Sequence, residues 1–319
     1  MKNILCVLPV EQRHKDKLEK AAAGLPIVYS TPAQVTDEQI AAANVILGCV
    51  DAKRVKASEN LELFQLNTAG TDPYIVPGVL APKTVLCNAT GAYSKAVAEH
   101  ALASLLMLQK KLHLYRDAQK QNNWTDFGTV SSITDFTVLI VGLGDIGCHF
   151  ARLLKGLGTK RVIGVKRRAG AKPDCVDELY TQEKLEELLP QADVVFNILP
   201  GTGGTYHLYT EEYFRLMKDS AFFVNCGRGG AVASEVLYKA VSEGMIAAAA
   251  IDVTEVEPLP ADSPLWQLDN LLITPHVSGY YHLPETFERI VEIASDNLSR
   301  YLEGRELRNV VDFTTGYRK

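Results

Sequence analysis

Apolar and polar residues alternate along this chain in blocks that switch between two periods. Short apolar runs such as Ile4–Leu8 and Val45–Leu47 have the length and composition of buried strands. The stretches between them, such as residues 14–23 and 36–43, repeat apolar positions at helical spacing. Because strands that alternate with helices form a parallel sheet covered on both faces, the first hundred residues predict an α/β domain.

The same alternation resumes in the second half of the chain. Strands are predicted over Val138–Val141, Arg161–Val165, Asp193–Leu199, Ala221–Asn225, Ala247–Val253 and Leu271–Thr274. One helix, apolar nearly all round, is predicted from Ser94 to Tyr115, and another from Glu285 to Glu303 closes the chain. We therefore expect two doubly wound parallel sheets, the second complete by about residue 275.

A glycine-rich turn follows the strand that ends at Val141, and it leads into a helical pattern. Its glycines stand at 142, 144 and 147, and its other residues include Asp145 and Ile146. In this context Gly142 permits a tight turn, Gly144 lets a pyrophosphate approach the backbone, and Gly147 lets the helix pack close to the strand. Amides at the helix N-terminus then bind the phosphates. The turn predicts a dinucleotide site, and the alternative is a glycine-rich packing turn.

The next strand ends in a basic segment. Proteins that bind a cofactor with a free ribose 2′-hydroxyl have an Asp or Glu at this position. The segment reads Lys166-Arg167-Arg168, and no Asp or Glu occurs from Cys148 through Pro173. Guanidinium groups can hold a 2′-phosphate through two hydrogen bonds. We therefore expect NADP(H) to be favoured over NAD(H), and the alternative is a solvated basic loop.

The overall balance of residues excludes several classes of protein. Thirty-eight acids and 33 bases give a net charge of −5, so nucleic acid is not an expected partner. No apolar run approaches the length that spans a membrane, and no signal sequence is recognised, so we expect a cytoplasmic protein without a membrane partner. The six cysteines have neither CxxC spacing nor histidines at metal-binding spacing, so no metal site is expected.

Polar groups follow three strands in the far half of the second sheet, where a nicotinamide would lie. Arg228 stands between glycines, Glu257 follows the apolar strand that ends in Asp252-Val253, and His276 follows the last strand. Each has an ordinary structural explanation when it is taken alone. Behind a dinucleotide motif, the three predict a carboxylate anchor, a carboxylate that keeps the histidine protonated, and a general acid, as reduction of a 2-keto acid requires.

With these motifs, the chain resembles the D-2-hydroxy-acid dehydrogenases, which include D-3-phosphoglycerate dehydrogenase and the glyoxylate/hydroxypyruvate reductases. The resemblance runs nearly end to end and rests on the glycine turn and on seven further segments: Gly91–Ser94 with Val97–His100, Pro200 with Thr202 and Thr205, Asn225–Gly229, Ala250–Val253, Glu257–Pro260, Ser263–Trp266 and Thr274–His276. It implies a Rossmann cofactor domain, residues 98–282, inserted in a flavodoxin-like substrate domain, residues 1–97 and 283–319.

The resemblance also assigns roles to residues. Arg228, Glu257 and His276 take the catalytic positions, and Asp252 takes the position that holds the nicotinamide carboxamide. The expected cofactor-binding residues are Gly142, Gly144, Asp145, Ile146, Gly147, Lys166, Arg167, Arg168, Pro200, Thr205, Cys226, Arg228, Asp252 and His276. The expected substrate-binding residues are Thr68, Ala69, Gly70, Tyr93, Arg228 and His276.

The sequence thus predicts a homodimeric NAD(P)-dependent D-2-hydroxy-acid dehydrogenase that acts mainly as a 2-keto-acid reductase. Because the sequence stops at Lys319, we expect no appended regulatory domain. An NAD-linked phosphoglycerate or hydroxypyruvate dehydrogenase is the alternative within the same class. An NADH-sensing corepressor is the alternative from another class, and the acidic chain without long tails favours the enzyme.

Overall fold

The structure is a computed structural model, and it describes residues 2–56, 58–314 and 316. The chain divides into two compact units, Met1–Tyr93 with Leu283–Lys319, and Ser94–His282. The predicted first domain also includes positions 1, 57, 315 and 317–319, which lie outside the described residues.

The described residues of the first unit form five short strands and the helices that pack with them. The strands are β1 (Ile4–Cys6), β2 (Ile27–Tyr29), β3 (Val45–Leu47), β4 (Leu63–Gln65) and β5 (Val85–Cys87). The helices are α1 (Gln12–Ala21), α2 (Asp37–Ala42), α3 (Ala52–Val55) and, from the end of the chain, α10 (Pro284–Leu302). The strands are all parallel in the order β2-β1-β3-β4-β5, which is the flavodoxin-like order.

The second unit contains a larger sheet. Its strands are β6 (Thr137–Val141), β7 (Arg161–Lys166), β8 (Glu178–Thr181), β9 (Val194–Asn197), β10 (Phe222–Asn225), β11 (Ala248–Ile251) and β12 (Leu271–Ile273). Its helices are α4 (Ser94–Gln109), α5 (Leu112–Lys120), α6 (Asp145–Gly156), α7 (Leu185–Leu188), α8 (Glu211–Leu216) and α9 (Ser234–Ser242). The order is β12-β11-β10-β9-β6-β7-β8, again all parallel.

This order places a topological switch point at β6, because the chain continues on one side to β7 and on the other to β9. Open α/β sheets bind their ligands at such a point, outside the carboxyl ends of the strands. The glycine turn begins there, directly after Val141. Every residue of β6 is buried, as are those of β9, β10 and β11, so the end of the sheet that bears the turn is rigidly supported. The prediction of two doubly wound parallel sheets is confirmed.

The structure differs from the predicted elements at three places. The helix predicted from Ser94 to Tyr115 is broken into α4 and α5, because Lys111 adopts a left-handed backbone with φ of 57°. The short helix α3 and the edge strand β8 were not predicted. Between β8 and β9 the chain forms only the four-residue helix α7, with a 3₁₀ turn on each side.

None of the helices among the described residues is both long enough and apolar enough to cross a bilayer. The longest, α10, carries charged residues throughout and buries one side in the first unit.

Candidate active site

The phosphate turn has the backbone geometry that its glycines predict. Gly142 has φ of 108°, and a Cβ on it would lie 2.8 Å from the carbonyl oxygen of Ile198. A Cβ on Gly147 would lie 2.5 Å from the carbonyl oxygen of Gly142, so helix α6 can approach the turn only because this side chain is missing. Neither position therefore tolerates a larger residue without movement of the backbone.

Gly144 differs from the other two glycines of the turn. A Cβ built on Gly144 meets no atom within 4 Å, so the space beside it is open. Gly144 is also the N-cap residue of α6, where no side chain caps the first amides of the helix. Open space next to uncapped amides at a helix N-terminus suits a pyrophosphate. The turn therefore fits a dinucleotide, with Asp145 and Ile146 in the first turn of α6.

The basic segment lies next to this turn. The amides of Gly142 and Leu143 donate to the carbonyl oxygen of Val165, at 3.1 and 2.9 Å, and Lys166 follows Val165 directly. Lys166 is half-buried, whereas Arg167 and Arg168 are exposed. The structure thus brings the three basic residues to the same end of the sheet as the phosphate turn.

Arg228 stands on a loop whose shape is set by a buried asparagine. The side chain of Asn225, which is completely buried, accepts from the amide of Gly227 at 3.1 Å and donates to the carbonyl oxygen of Arg228 at 3.2 Å. The Asn197 side-chain amide donates to the same Asn225 oxygen at 2.9 Å. A Cβ on Gly229 would lie only 1.9 Å from the carbonyl oxygen of Thr254, so the loop is packed directly against the chain that leads to Glu257.

His276 and Glu257 are in hydrogen-bond contact. The Nδ1 atom of His276 lies 2.8 Å from Oε2 of Glu257, and the amide of Thr254 donates to the other carboxylate oxygen at 3.1 Å. With Nδ1 donating to Glu257, the Nε2 atom is left to give or take a proton. The imidazole is about half exposed, which leaves it accessible to a substrate.

The buried carboxylate of Asp252 organises the backbone around His276. It accepts from the hydroxyl of Thr274 at 2.6 Å and from the amides of Val277 and Ser278 at 2.9 and 3.0 Å. The Nε2 atom of His100, on α4, lies 3.1 Å from the same hydroxyl. These donors flank His276 on both sides, and His276 has a left-handed backbone with φ of 52°. The network holds the histidine in a conformation that it would otherwise avoid.

The remaining predicted cofactor residues lie in the same unit. Thr205 donates through its hydroxyl to the carbonyl oxygen of Pro200 at 2.7 Å and accepts from the amide of Thr202 at 2.9 Å, which closes the loop after β9. Cys226 follows β10, and burial, together with the nearby Asp252 charge, raises the pKa of its thiol, which therefore stays neutral.

The predicted substrate residues Thr68, Ala69, Gly70 and Tyr93 belong to the first unit, whereas Arg228 and His276 belong to the second. The loop after β4 is internally bonded, since the Thr68 hydroxyl donates to the carbonyl oxygen of Gly70 at 2.8 Å. The hydroxyl of Tyr93 donates to the backbone carbonyl of Asn67, at the start of that loop. The assignment of these four residues to the substrate stays a prediction.

Two elements of the site were missed by the sequence argument. His100 belongs to a motif that supports the family resemblance, but nothing local signals its contact with Thr274. A second group, formed by His207, Ser234 and Glu255, connects the loop after β9 and the turn after β11 to the start of α9. In the sequence this group is marked only by its position near predicted site residues. His207 lies two residues after Thr205, and Glu255 lies two residues before Glu257.

Comparison with known proteins agrees with this geometry. Residues 102–278 match the family model of the NAD binding domain of D-isomer specific 2-hydroxyacid dehydrogenases, which is more than half of the chain. A relative from Escherichia fergusonii, named glyoxylate/hydroxypyruvate reductase B, is 32% identical over 285 residues, which cover 86% of each chain. The chain belongs to the D-isomer specific 2-hydroxyacid dehydrogenase family.

Solved structures of the same family superpose on both units. A family protein from Aeromonas salmonicida is 33% identical with a TM-score of 0.85, and the match covers 98% of this chain and 100% of that one. A D-isomer specific 2-hydroxyacid dehydrogenase from Xanthobacter autotrophicus, solved with NADPH and MES, is 27% identical with a TM-score of 0.84 over 99% of each chain. The predicted class, an NAD(P)-dependent 2-hydroxy-acid dehydrogenase, is confirmed.

The three glycines of the turn make a sharp prediction because a side chain has different consequences at each. Gly144→Ala should fold like the wild type, since its Cβ enters open space, yet it should lose most dinucleotide affinity. Gly147→Ala should instead lower the free energy of unfolding by about 1–3 kcal/mol through overpacking. Urea unfolding and fluorescence titration with NADPH measure the two effects. A Gly144→Ala protein that binds NADPH like the wild type would remove the phosphates from this turn.

Proposed function

We propose that the protein reduces small 2-keto acids to D-2-hydroxy acids and prefers NADPH as the hydride source. The single observation that carries the proposal is the contact between His276 and Glu257, next to which the loop of Arg228 is packed. A cationic imidazole that is held by a carboxylate supplies a proton, and a guanidinium binds a carboxylate. A 2-keto acid presents the two groups that match, a carbonyl oxygen and a carboxylate.

Each protein group has one task in this reaction. Arg228 binds the substrate carboxylate and polarises the neighbouring carbonyl, which orients the carbonyl carbon for attack. His276 donates the proton from Nε2 to the carbonyl oxygen, and Glu257 stabilises the imidazolium through Nδ1. Bound nicotinamide cofactor supplies the hydride. In the direction of oxidation, the neutral imidazole accepts the hydroxyl proton.

The positive charge of the basic segment next to the phosphate turn supports the preference for NADPH. Lys166, Arg167 and Arg168 follow β7 next to the phosphate turn, and no acid occurs among residues 148–173 to bind a free ribose hydroxyl. A 2′-phosphate gains charge-assisted hydrogen bonds there, whereas NADH gains nothing comparable. The family member from Xanthobacter autotrophicus was solved with NADPH, which supports the same cofactor.

We also propose that the protein is a cytoplasmic homodimer. In the cytoplasm its six free cysteines stay reduced. Apolar side chains are exposed on α5 and the segment after it, with Trp124 fully exposed and Leu112 and Val130 about half exposed. Monomeric proteins rarely leave so many large apolar groups together in one short segment, and a second copy of this chain would cover them.

Substitution of the proposed acid tests the catalytic assignment. His276→Gln should lower kcat by roughly 10²- to 10⁴-fold because the general acid is lost. The dissociation constant of NADPH should stay nearly unchanged, because the main task of the imidazole is proton transfer even though His276 is also an expected cofactor-binding residue. Arg228→Lys should raise KM for pyruvate or hydroxypyruvate, because an ammonium cannot bind a carboxylate through two parallel hydrogen bonds. A His276→Gln enzyme with the kcat of the wild type would show that another group donates the proton.

Steady-state kinetics with both cofactors test the preference. The wild type should show a kcat/KM about 10- to 100-fold higher with NADPH than with NADH, as one or two charge-assisted contacts predict. Replacement of Arg167 and Arg168 together by Ala should remove most of this difference. Lys160→Ala, an exposed lysine before β7, is the matched control and should change neither value. Equal values for the two cofactors on the wild type would contradict the assignment.

Sedimentation velocity tests the dimer. The wild type should sediment as a dimer of the 35.0 kDa chain, and Trp124→Asp should shift it to monomer because a buried unpaired charge opposes association. Val76→Asp places the same charge at an exposed valine of the first unit and should leave the dimer intact. A wild-type protein that sediments as a monomer at micromolar concentration would exclude the dimer.

A further inference from the structure

A second carboxylate, that of Glu255, holds the turn that carries Glu257 in place through hydrogen bonds. One oxygen of Glu255 lies 2.7 Å from Nε2 of His207. The other accepts from both the amide and the hydroxyl of Ser234, at 2.8 and 3.0 Å. One carboxylate thus contacts the loop after β9 and the first residue of α9, which lie 48 and 21 residues away in the sequence.

Glu255 supplies the N-terminal cap that α9 lacks. The N-cap residue of α9 is Ala233, whose side chain has no acceptor, so the first amides depend on another residue. A carboxylate at a helix N-terminus is favoured by hydrogen bonding and by the helix dipole. Burial raises the pKa of Glu255, but the Ser234 and His207 contacts lower it by more, so the group stays ionised at neutral pH.

The contacts of Glu255 and of its partners fix the loop that carries Arg228 at more than one point. That loop enters α9 through residues 229–233, so its end is fixed where Glu255 caps the helix. The amide of His207 donates to the carbonyl oxygen of Gly230 at 2.8 Å, which fixes the middle. The carbonyl oxygen of Thr254, the residue before Glu255, lies directly against Gly229, and the Thr254 amide donates a hydrogen bond to Glu257. The catalytic Arg228 and Glu257 are therefore aligned through one shared network.

We propose that Glu255 is a positioning residue, which with His207 and Ser234 fixes the Arg228 loop against the Glu257 turn. This role rests on the proposed function, because Arg228 and Glu257 act on substrate only if that function is correct. Glu255 itself transfers no proton and contacts no reacting atom in this role. Loss of the Glu255 carboxylate should therefore raise KM for the keto acid much more than it raises the dissociation constant of NADPH.

Glu255→Gln tests this role, because glutamine keeps the size of the side chain but loses the charge and one acceptor. We expect KM for glyoxylate to rise about tenfold, while the dissociation constant of NADPH stays within about twofold. Ser234→Ala removes only the hydroxyl contact and should give a smaller effect in the same direction. Glu211→Gln is the matched control, since Glu211, on α8, pairs with Lys239 on α9 and lies in neither of the two loops.

Hydrogen exchange followed by mass spectrometry separates this proposal from the proposed function. In Glu255→Gln without substrate, the amides of residues 226–232 and 253–257 should exchange at least about fivefold faster, because the network no longer restrains them. Wild-type exchange in both segments would overturn the positioning role even in an active reductase. A rise in KM that is accompanied by an equal loss of NADPH affinity and by a lower melting temperature would also overturn it, in favour of a purely structural cap. If wild-type protein reduces no 2-keto acid, the proposed function fails and exchange alone decides the role of Glu255.

Discussion

The carboxylate of Asp252 is the group on which the geometry of the candidate active site depends. It lies at the end of β11 with 2% of its surface exposed, and it accepts hydrogen bonds from Thr274, Val277 and Ser278. These bonds offset the left-handed backbone of His276, a conformation that costs about 1–3 kcal/mol for a residue other than glycine. A carboxylate can be buried at this point because three hydrogen-bond donors satisfy its oxygens.

The parallel sheet brings the residues of the candidate site together at one edge. Strands β10, β11 and β12 are neighbours and parallel, so the loops after them emerge at the same edge. Arg228, Glu257 and His276 follow these three strands in turn. The phosphate turn follows β6, two strands away from β10 in the same sheet. A parallel sheet with buried strands thus brings to one edge residues that are more than a hundred positions apart in sequence.

Much of this arrangement was accessible from the sequence, because its signals are local. Buried strands appear as apolar runs, and the polar residues that end them are visible as exceptions. The break at Lys111 was not accessible, since neither glycine nor proline marks the left-handed residue there. The half-buried edge strand β8 has no apolar run to reveal it. The contacts of Glu255 were also hidden, because a charged residue in a turn looks the same whether it faces water or caps a distant helix.

The proposed reaction transfers a hydride to a keto carbon, and isotopic labelling tests that transfer most directly. Pyruvate should be incubated with the protein and with NADPH that carries deuterium at both C4 positions, and the product should be examined by mass spectrometry and chiral chromatography. We predict D-lactate with one deuterium at C2, since the cofactor should supply that hydrogen and the hydroxyl proton should come from solvent. Lactate without deuterium at C2, or lactate of the L configuration, would contradict the account.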